Sequence, residues 1–178
     1  MLMSEDTIEK INLLIQKMFN LNRELDRFLG YADVKWALSS FNKVYHEGYA
    51  HLMPLLADFL ADILLRYNIA PKYYETRKDV REYSSLLDFF NTNLNEHIEA
   101  YEMIKDAINS ATINGDLNAE SDLKHFMRIW NKFMSQAILL RDKAEIYKDN
   151  VALFDGFCDQ FYILEEEKEL LTGSSNND

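Results

Sequence analysis

The chain contains little glycine, proline and cysteine. Of its 178 residues, 5 are glycine, 2 are proline and 1 is cysteine. So few glycines and prolines favour long helices over many turns. The single cysteine, Cys158, excludes a disulfide within the chain and fits a reducing compartment. No zinc site built from several cysteines is therefore available to one chain.

Basic residues are outnumbered by acidic ones. The chain has 19 Lys and Arg against 30 Asp and Glu, and its formal net charge is -11. Nucleic acid is bound through a patch of Lys and Arg that contacts the phosphates, so this balance argues against a nucleic-acid partner. No apolar run approaches the ~20 residues of a membrane span, and no signal-peptide pattern opens the chain. We therefore expect a cytoplasmic protein without a membrane partner.

Apolar residues recur at spacings of three and four, which predicts amphipathic helices. The pattern predicts helices over about 4–29, 33–68, 85–113 and 117–148, with a shorter fifth helix over 151–170. Gly30 is expected to end the first helix and Asp33 to cap the second. Pro54 removes a hydrogen bond inside the second helix and predicts a kink there, and Gly48 is a weak point just before it. Together these helices predict one domain over residues 1–170, and residues 171–178 are expected to be a disordered tail.

The connections between these helices are short, long and short. The first pair of helices meets at a short turn, and the second pair meets at a tight turn around Gly115. Residues 69–84 form a crossover that can extend over roughly 50 Å, about the length of the second helix, which leaves the third helix parallel to the second. This order predicts an all-α fold, a ferritin-like four-helix bundle with a long crossover and an extra C-terminal helix.

The end of the second helix reads Asp58-Phe-Leu-Ala-Asp62, and this segment resembles the Dps branch of the ferritin-like superfamily, the mini-ferritins. Asp58 matches the iron-binding Asp of that family, and Asp62 stands where its iron-binding Glu belongs. Trp36 corresponds to the Trp of a His-Trp pair, although the preceding residue here is Lys35. The second histidine of the family would fall on Lys43, so half of the ligand set is retained.

The resemblance implies a metal-ion partner and a homo-oligomer, a dimer or larger. A mini-ferritin binds iron, oxidises it with peroxide or oxygen, and stores it in an oligomeric shell. On this reading Asp58 and Asp62 are iron ligands, together with His46 or His51 from the same or a neighbouring chain. Ferroxidase-type activity is expected only if that metal site is intact.

The spacing on the second helix suggests two incomplete metal sites. Glu47, His51, Asp58 and Asp62 lie within roughly 60° of one another at ~100° per residue, on a stripe that faces outward or towards a partner. Carboxylate and imidazole together suit iron, manganese or zinc. Because ~16 Å separates Glu47 from Asp58, one ion cannot use both, and the half-sites are Glu47 with His51 and Asp58 with Asp62. A solvated polar face is the alternative interpretation.

A metal site in the middle of the bundle is not expected. Such a site is built from inward Glu residues and Glu-x-x-His pairs. No Glu or Asp is predicted on the core stripes at that depth. His97 is predicted to be the one ionisable residue there, and a lone core histidine is expected to be a hydrogen-bonded structural residue. The alternative function is a divergent ferritin-like bundle that has lost its metal and acts as a binding or scaffold module. Lys43, which stands in place of a ligand histidine, favours this alternative.

Overall fold

The computed structural model describes residues 2–157, which form a bundle of long helices. The all-α fold class is confirmed. The elements are α1 (Glu5–Trp36), α2 (Ser39–Tyr45), a π-helical turn (His46–Ala50), α3 (Leu52–Leu65), α4 (Leu86–Asn114), α5 (Leu117–Ile146) and α6 (Val151–Gly156).

Helix α1 packs against α3 on one side and α4 on the other, and it is antiparallel to α4. The contacts between α1 and α4 run from Thr7 with Ser110 at one end to Phe28 with Phe89 at the other. Helix α5 follows α4 after a turn at Gly115, which has a φ of 72° and so occupies the left-handed region that favours glycine.

The second arm of the bundle, formed by α2, the π-helical turn and α3, is also antiparallel to α1. Asn22 meets Ala50, and further along α1 Phe28 meets Phe41. Since this arm and α4 both run against α1, they run parallel to each other. The length of the crossover predicted this relationship.

The first helix is longer than predicted. It continues through Gly30 to Trp36, so the expected end at residue 29 is wrong, and Asp33 lies inside α1 instead of capping the next helix. The helix ends at Ala37, whose φ of 54° is left-handed and whose N–H donates to the carbonyl of Asp33. Gly30 keeps a helical conformation because burial of neighbouring residues such as Phe28 outweighs its weak helix propensity.

The second arm also differs from its predicted bounds of 33–68. It begins at Ser39, and α3 ends at Leu65, just before Asn68 adopts a left-handed φ of 57°. The third and fourth helices lie close to their predicted bounds. The hydroxyl of Ser85 accepts a hydrogen bond from the N–H of Asp88 at 3.0 Å and caps α4.

The start of the predicted fifth helix forms the short α6. Phe154 on α6 is buried and packs against Phe41 and Phe90, so this segment docks on the bundle. The rest of the predicted helix 151–170, the tail 171–178 and Cys158 lie outside the described residues.

The second arm is the most apolar part of the bundle. By length and composition alone, Ser39–Leu65 would qualify as a membrane span, contrary to the expectation that no run comes close. However, 56% of its most apolar window is buried inside the bundle. That burial is what a core helix requires, because its apolar side chains must contact neighbouring helices on several sides.

The crossover between α3 and α4 lies along α1 and is fastened to it. The N–H of Lys72 donates to Oδ1 of Asn12 at 2.8 Å, and the guanidinium of Arg81 donates to Oε2 of Glu24 at 2.5 Å. Glu24 is only 1% exposed, so this ion pair holds a buried charge. The crossover therefore shields a carboxylate that α1 buries in the bundle.

We predict that Arg81→Met lowers the free energy of unfolding by about 1–3 kcal/mol, because it removes the closest partner of the buried Glu24 carboxylate. This loss of stability is smaller than the loss expected for a fully buried ion pair, because Arg81 is 37% exposed. The double variant Glu24→Met with Arg81→Met should recover part of the loss, since the Glu24 carboxylate is then absent while Asp79 still lacks its partner Arg81. Urea denaturation measures all three proteins, and a double variant no more stable than Arg81→Met would contradict this account.

Candidate metal centre

The π-helical turn His46–Ala50 lies directly before the proline of the second arm. Pro54 has no N–H to donate to the carbonyl of Ala50, and its ring crowds that carbonyl, so a regular α-helix cannot pass through this point undisturbed. The freed carbonyl of Ala50 instead accepts a hydrogen bond from Nδ2 of Asn22 on α1 at 3.1 Å. The turn is closed by the N–H of His51, which donates to the carbonyl of His46 at 3.2 Å.

The wider turn brings His46 beside His51. In an α-helix, residues five apart point ~140° away from each other. A hydrogen bond from residue i+5 to residue i instead places the second side chain above the first. The two imidazole rings accordingly lie 4.1 Å apart between centroids.

Glu47 completes a cluster with these two histidines. Its Oε1 lies 3.9 Å from Nδ1 of His46, and its Oε2 lies 3.6 Å from Nδ1 of His51. One ligand atom from each residue lies within 4.8 Å of the others. Ligands of a tetrahedral ion with bonds of ~2.0–2.1 Å stand about 3.4 Å apart, so small side-chain rotations would allow all three to reach one ion.

The predicted ligand residues divide into two groups in the structure. His46, Glu47 and His51 are brought together, and within residues 2–157 they form the one group of three or more potential ligands at such distances. Asp58 and Asp62 lie further along α3, both exposed and outside that group. The extra residue of the π-helical turn brings His46 into the cluster, although regular helical spacing did not place His46 on the same stripe as Glu47 and His51.

The centre of the bundle contains a hydrogen-bonded histidine. The hydroxyl of Tyr49 donates to Nε2 of His97 at 2.5 Å, because Nδ1–H of His97 is donated to the carbonyl of Asn93 at 2.8 Å. The ring of His97 stacks on Trp130. Burial lowers the pKa of His97 to about 4. With both nitrogens engaged, His97 is a structural residue, as expected for a lone core histidine.

One acidic residue does face the interior, contrary to the expectation that none would. Glu24 lies three residues after Leu21 and four before Phe28, both on the buried stripe of α1, so its position could have been found from the spacing. Burial raises the pKa of Glu24 to about 7, although the positive charge of Arg81 opposes this shift. Its Oε1 has no partner among the described residues.

The interior does not provide a dinuclear metal site. Such a site uses several carboxylates together with Glu-x-x-His pairs. Among residues 2–157, Glu24 is the one buried acid, and the single buried histidine, His97, has both nitrogens occupied. These residues do not fit a central di-iron centre, so the surface cluster is the candidate metal centre.

Solved structures of ferritins match this architecture. An open-pore ferritin from the hyperthermophilic archaeon Archaeoglobus fulgidus superposes with a TM-score of 0.82 at 14% identity, over 90% of this chain and 98% of that one. A closed form of that ferritin, engineered by site-directed mutagenesis, gives 0.82 at 15% identity over 90% and 97%. A humanized archaeal ferritin gives 0.82 at 14% identity over 90% and 96%.

The chain has the ferritin fold. No protein-family model matches the sequence, and neither does any curated protein. At 14–15% identity the likeness to these ferritins establishes the fold alone. The short, long and short connections predicted this ferritin-like bundle from the sequence.

We predict that His97 makes the ferritin-fold core sensitive to acid. Its pKa is lowered from 6.5 to about 4 in the folded state, so its contribution to stability is complete above pH 6.5 and is lost as the pH falls towards 4. The loss amounts to roughly 3 kcal/mol over that range. His97→Gln should flatten this part of the pH profile, measured by urea denaturation at several pH values.

Glu24 acts in the opposite direction, because its raised pKa means that its contribution falls as the pH rises from 4.5 to about 7. Since the wild type and His97→Gln both retain Glu24, the difference between their profiles isolates His97. Parallel profiles would show that the folded state accepts a proton at His97 without penalty.

Proposed function

We propose that this protein is a ferritin-like metal-binding protein that takes up ferrous iron at its surface, at the cluster of His46, Glu47 and His51. The observation that supports this proposal is the meeting of three ligand atoms within 4.8 Å on one turn. The ferritin fold and the resemblance of the second arm to mini-ferritins are consistent with iron as the ion.

The donor set suits a divalent transition metal. Two imidazoles and one carboxylate on one side of an ion leave other positions open, which is the arrangement of many non-haem Fe(II) sites, and manganese and zinc accept the same donors. His46, Glu47 and His51 are 42%, 67% and 49% exposed, so an ion and its co-reactant can reach the cluster from solvent. Iron held with open positions can react with oxygen or peroxide.

The charge of the molecule favours the uptake of cations. A net charge of -11 raises the local concentration of positive ions near the surface. Asp58 and Asp62 extend the polar side of α3 beyond the cluster, and we propose them as a second half-site that a neighbouring subunit would complete. Oxidation and storage of iron in a shell of subunits, as in the Dps branch, is the fullest form of this function.

We predict that the wild-type protein binds Fe²⁺ or Co²⁺ with one strong site per chain, and that His46→Ala with His51→Ala abolishes it. Loss of both imidazoles leaves one exposed carboxylate, which holds such ions weakly. Titration by calorimetry or by cobalt absorbance measures the effect. Because both histidines are largely exposed, the thermal unfolding temperature without metal should change little.

Two further variants make that test specific. His125→Ala removes a histidine from α5 that lies outside the cluster, and binding should be unchanged. Asp58→Asn with Asp62→Asn should leave the strong site intact and reduce only a second, weaker site. If binding disappears in the aspartate variant and persists in the histidine variant, the metal site lies on α3 and not at the cluster.

The second candidate function is a scaffold or binding module that has lost its metal. The packing of the bundle centre favours it, because aromatic rings fill the place where a ferritin-like bundle carries inward carboxylates. Tyr49 stacks against Tyr45, and Trp130 stacks against both His97 and Phe133. Such a core supports the fold without any ion.

We predict that protein purified without chelators contains iron, oxidises added Fe²⁺ with saturation, and has the mass of a dimer or a larger assembly. The reason is that an exposed three-ligand cluster leaves positions that a neighbouring subunit can fill. Elemental analysis, oxidation assays and light scattering on one preparation measure these properties. A metal-free, inactive monomer would favour the scaffold function.

A further inference from the structure

We propose that Asp26 is a positioning residue that holds His46 in the tautomer and orientation needed to bind a metal ion through Nδ1. This inference rests on the proposed function of the surface cluster. Asp26 lies on α1, and its Oδ1 is 3.6 Å from Nε2 of His46, on the side of the ring away from Glu47.

The two histidines present the same nitrogen to the same carboxylate. Nδ1 of His46 faces one oxygen of Glu47, and Nδ1 of His51 faces the other. An ion between these three groups would therefore be bound by both Nδ1 atoms. Nε2 of His46 is then free for another partner, and Asp26 is the acid within reach of it.

The chemistry of imidazole makes that partner important. A neutral histidine carries one N–H, and the nitrogen that binds a metal must be the other one. A carboxylate that accepts a hydrogen bond from Nε2–H keeps the proton there and leaves the lone pair of Nδ1 available. Asp26 itself lies outside the group whose ligand atoms are mutually within 4.8 Å, so it orients a ligand of this ion instead of binding it.

Helix α1 approaches the π-helical turn at two consecutive places. Asn22 donates to the carbonyl of Ala50, and one turn later Asp26 reaches His46. Residues four apart lie on the same face of a helix, so one face of α1 lies against both the backbone and the imidazole of the π-helical turn. At 3.6 Å, Oδ1 of Asp26 is a small side-chain rotation away from hydrogen-bonding distance to Nε2 of His46, and that hydrogen bond would restrict a half-exposed ring.

The test compares the full-length wild type with Asp26→Ala, Asp26→Glu and the control Asp33→Ala. Asp33 is an exposed acid on the same helix, so its removal makes the same change in charge at a distance from His46. We expect Asp26→Ala to weaken Co²⁺ or Fe²⁺ binding by about 10–100-fold. Asp26→Glu should restore much of it, and Asp33→Ala should bind as the wild type does.

A second readout does not depend on metal. Nitrogen-15 NMR of the metal-free protein reports which nitrogen of His46 carries the proton. We expect the Nε2–H tautomer to dominate in the wild type and to lose that dominance in Asp26→Ala.

Equal metal affinity for the wild type and Asp26→Ala would overturn the inference. An equal loss in Asp33→Ala would also overturn it, because general charge would then explain the effect. If the wild type binds no metal, the proposed function fails, and the tautomer of His46 still decides whether Asp26 orients the ring.

Discussion

One backbone carbonyl of the second arm, that of Ala50, lacks its usual N–H donor within its own helix, and the geometry of the candidate site depends on that constraint. Pro54 cannot donate to the carbonyl of Ala50, so the chain widens into a π-helical turn. Asn22 on α1 satisfies the free carbonyl, which fixes the turn against the bundle. The same widening places His46 beside His51. The irregular backbone and the cluster of ligands therefore have a common origin in one proline inside an otherwise regular helix.

In the interior of the bundle, the constraint is that buried polar groups need partners. Glu24 is paired with Arg81 from the crossover, and His97 is hydrogen-bonded at both nitrogens. Every additional buried carboxylate would need its own partner, since an unpaired charge costs several kcal/mol. Aromatic side chains fill the remaining space without that requirement. A core of this kind gains packing energy and, within residues 2–157, lacks the carboxylates of a dinuclear metal centre, which leaves the surface cluster as the candidate site for an ion.

The sequence predicted the bundle, its long crossover and the helices with strong local end signals. Helix α4 begins after the cap Ser85 and is followed by Gly115 in the left-handed region, and both signals act locally. Gly30 misled the prediction of α1, because its weak propensity was outweighed by tertiary packing. Glu24 lay on the buried stripe and was missed. The position of His46 could not be derived from a spacing of 3.6 residues, since it depends on a turn of another width.

The location of the candidate cluster would separate metal binding from folding. An interior site would make stability and binding inseparable, because its carboxylates are buried charges when the ion is absent. His46, Glu47 and His51 are largely exposed, and water solvates them without an ion. The disadvantage of exposed ligands is entropic, because their side chains lose rotational freedom when they bind an ion. A metal site on such a surface would gain affinity mainly from groups that restrict its ligands in advance, and Asn22 and the proposed positioning residue Asp26 lie on the face of α1 that contacts the π-helical turn.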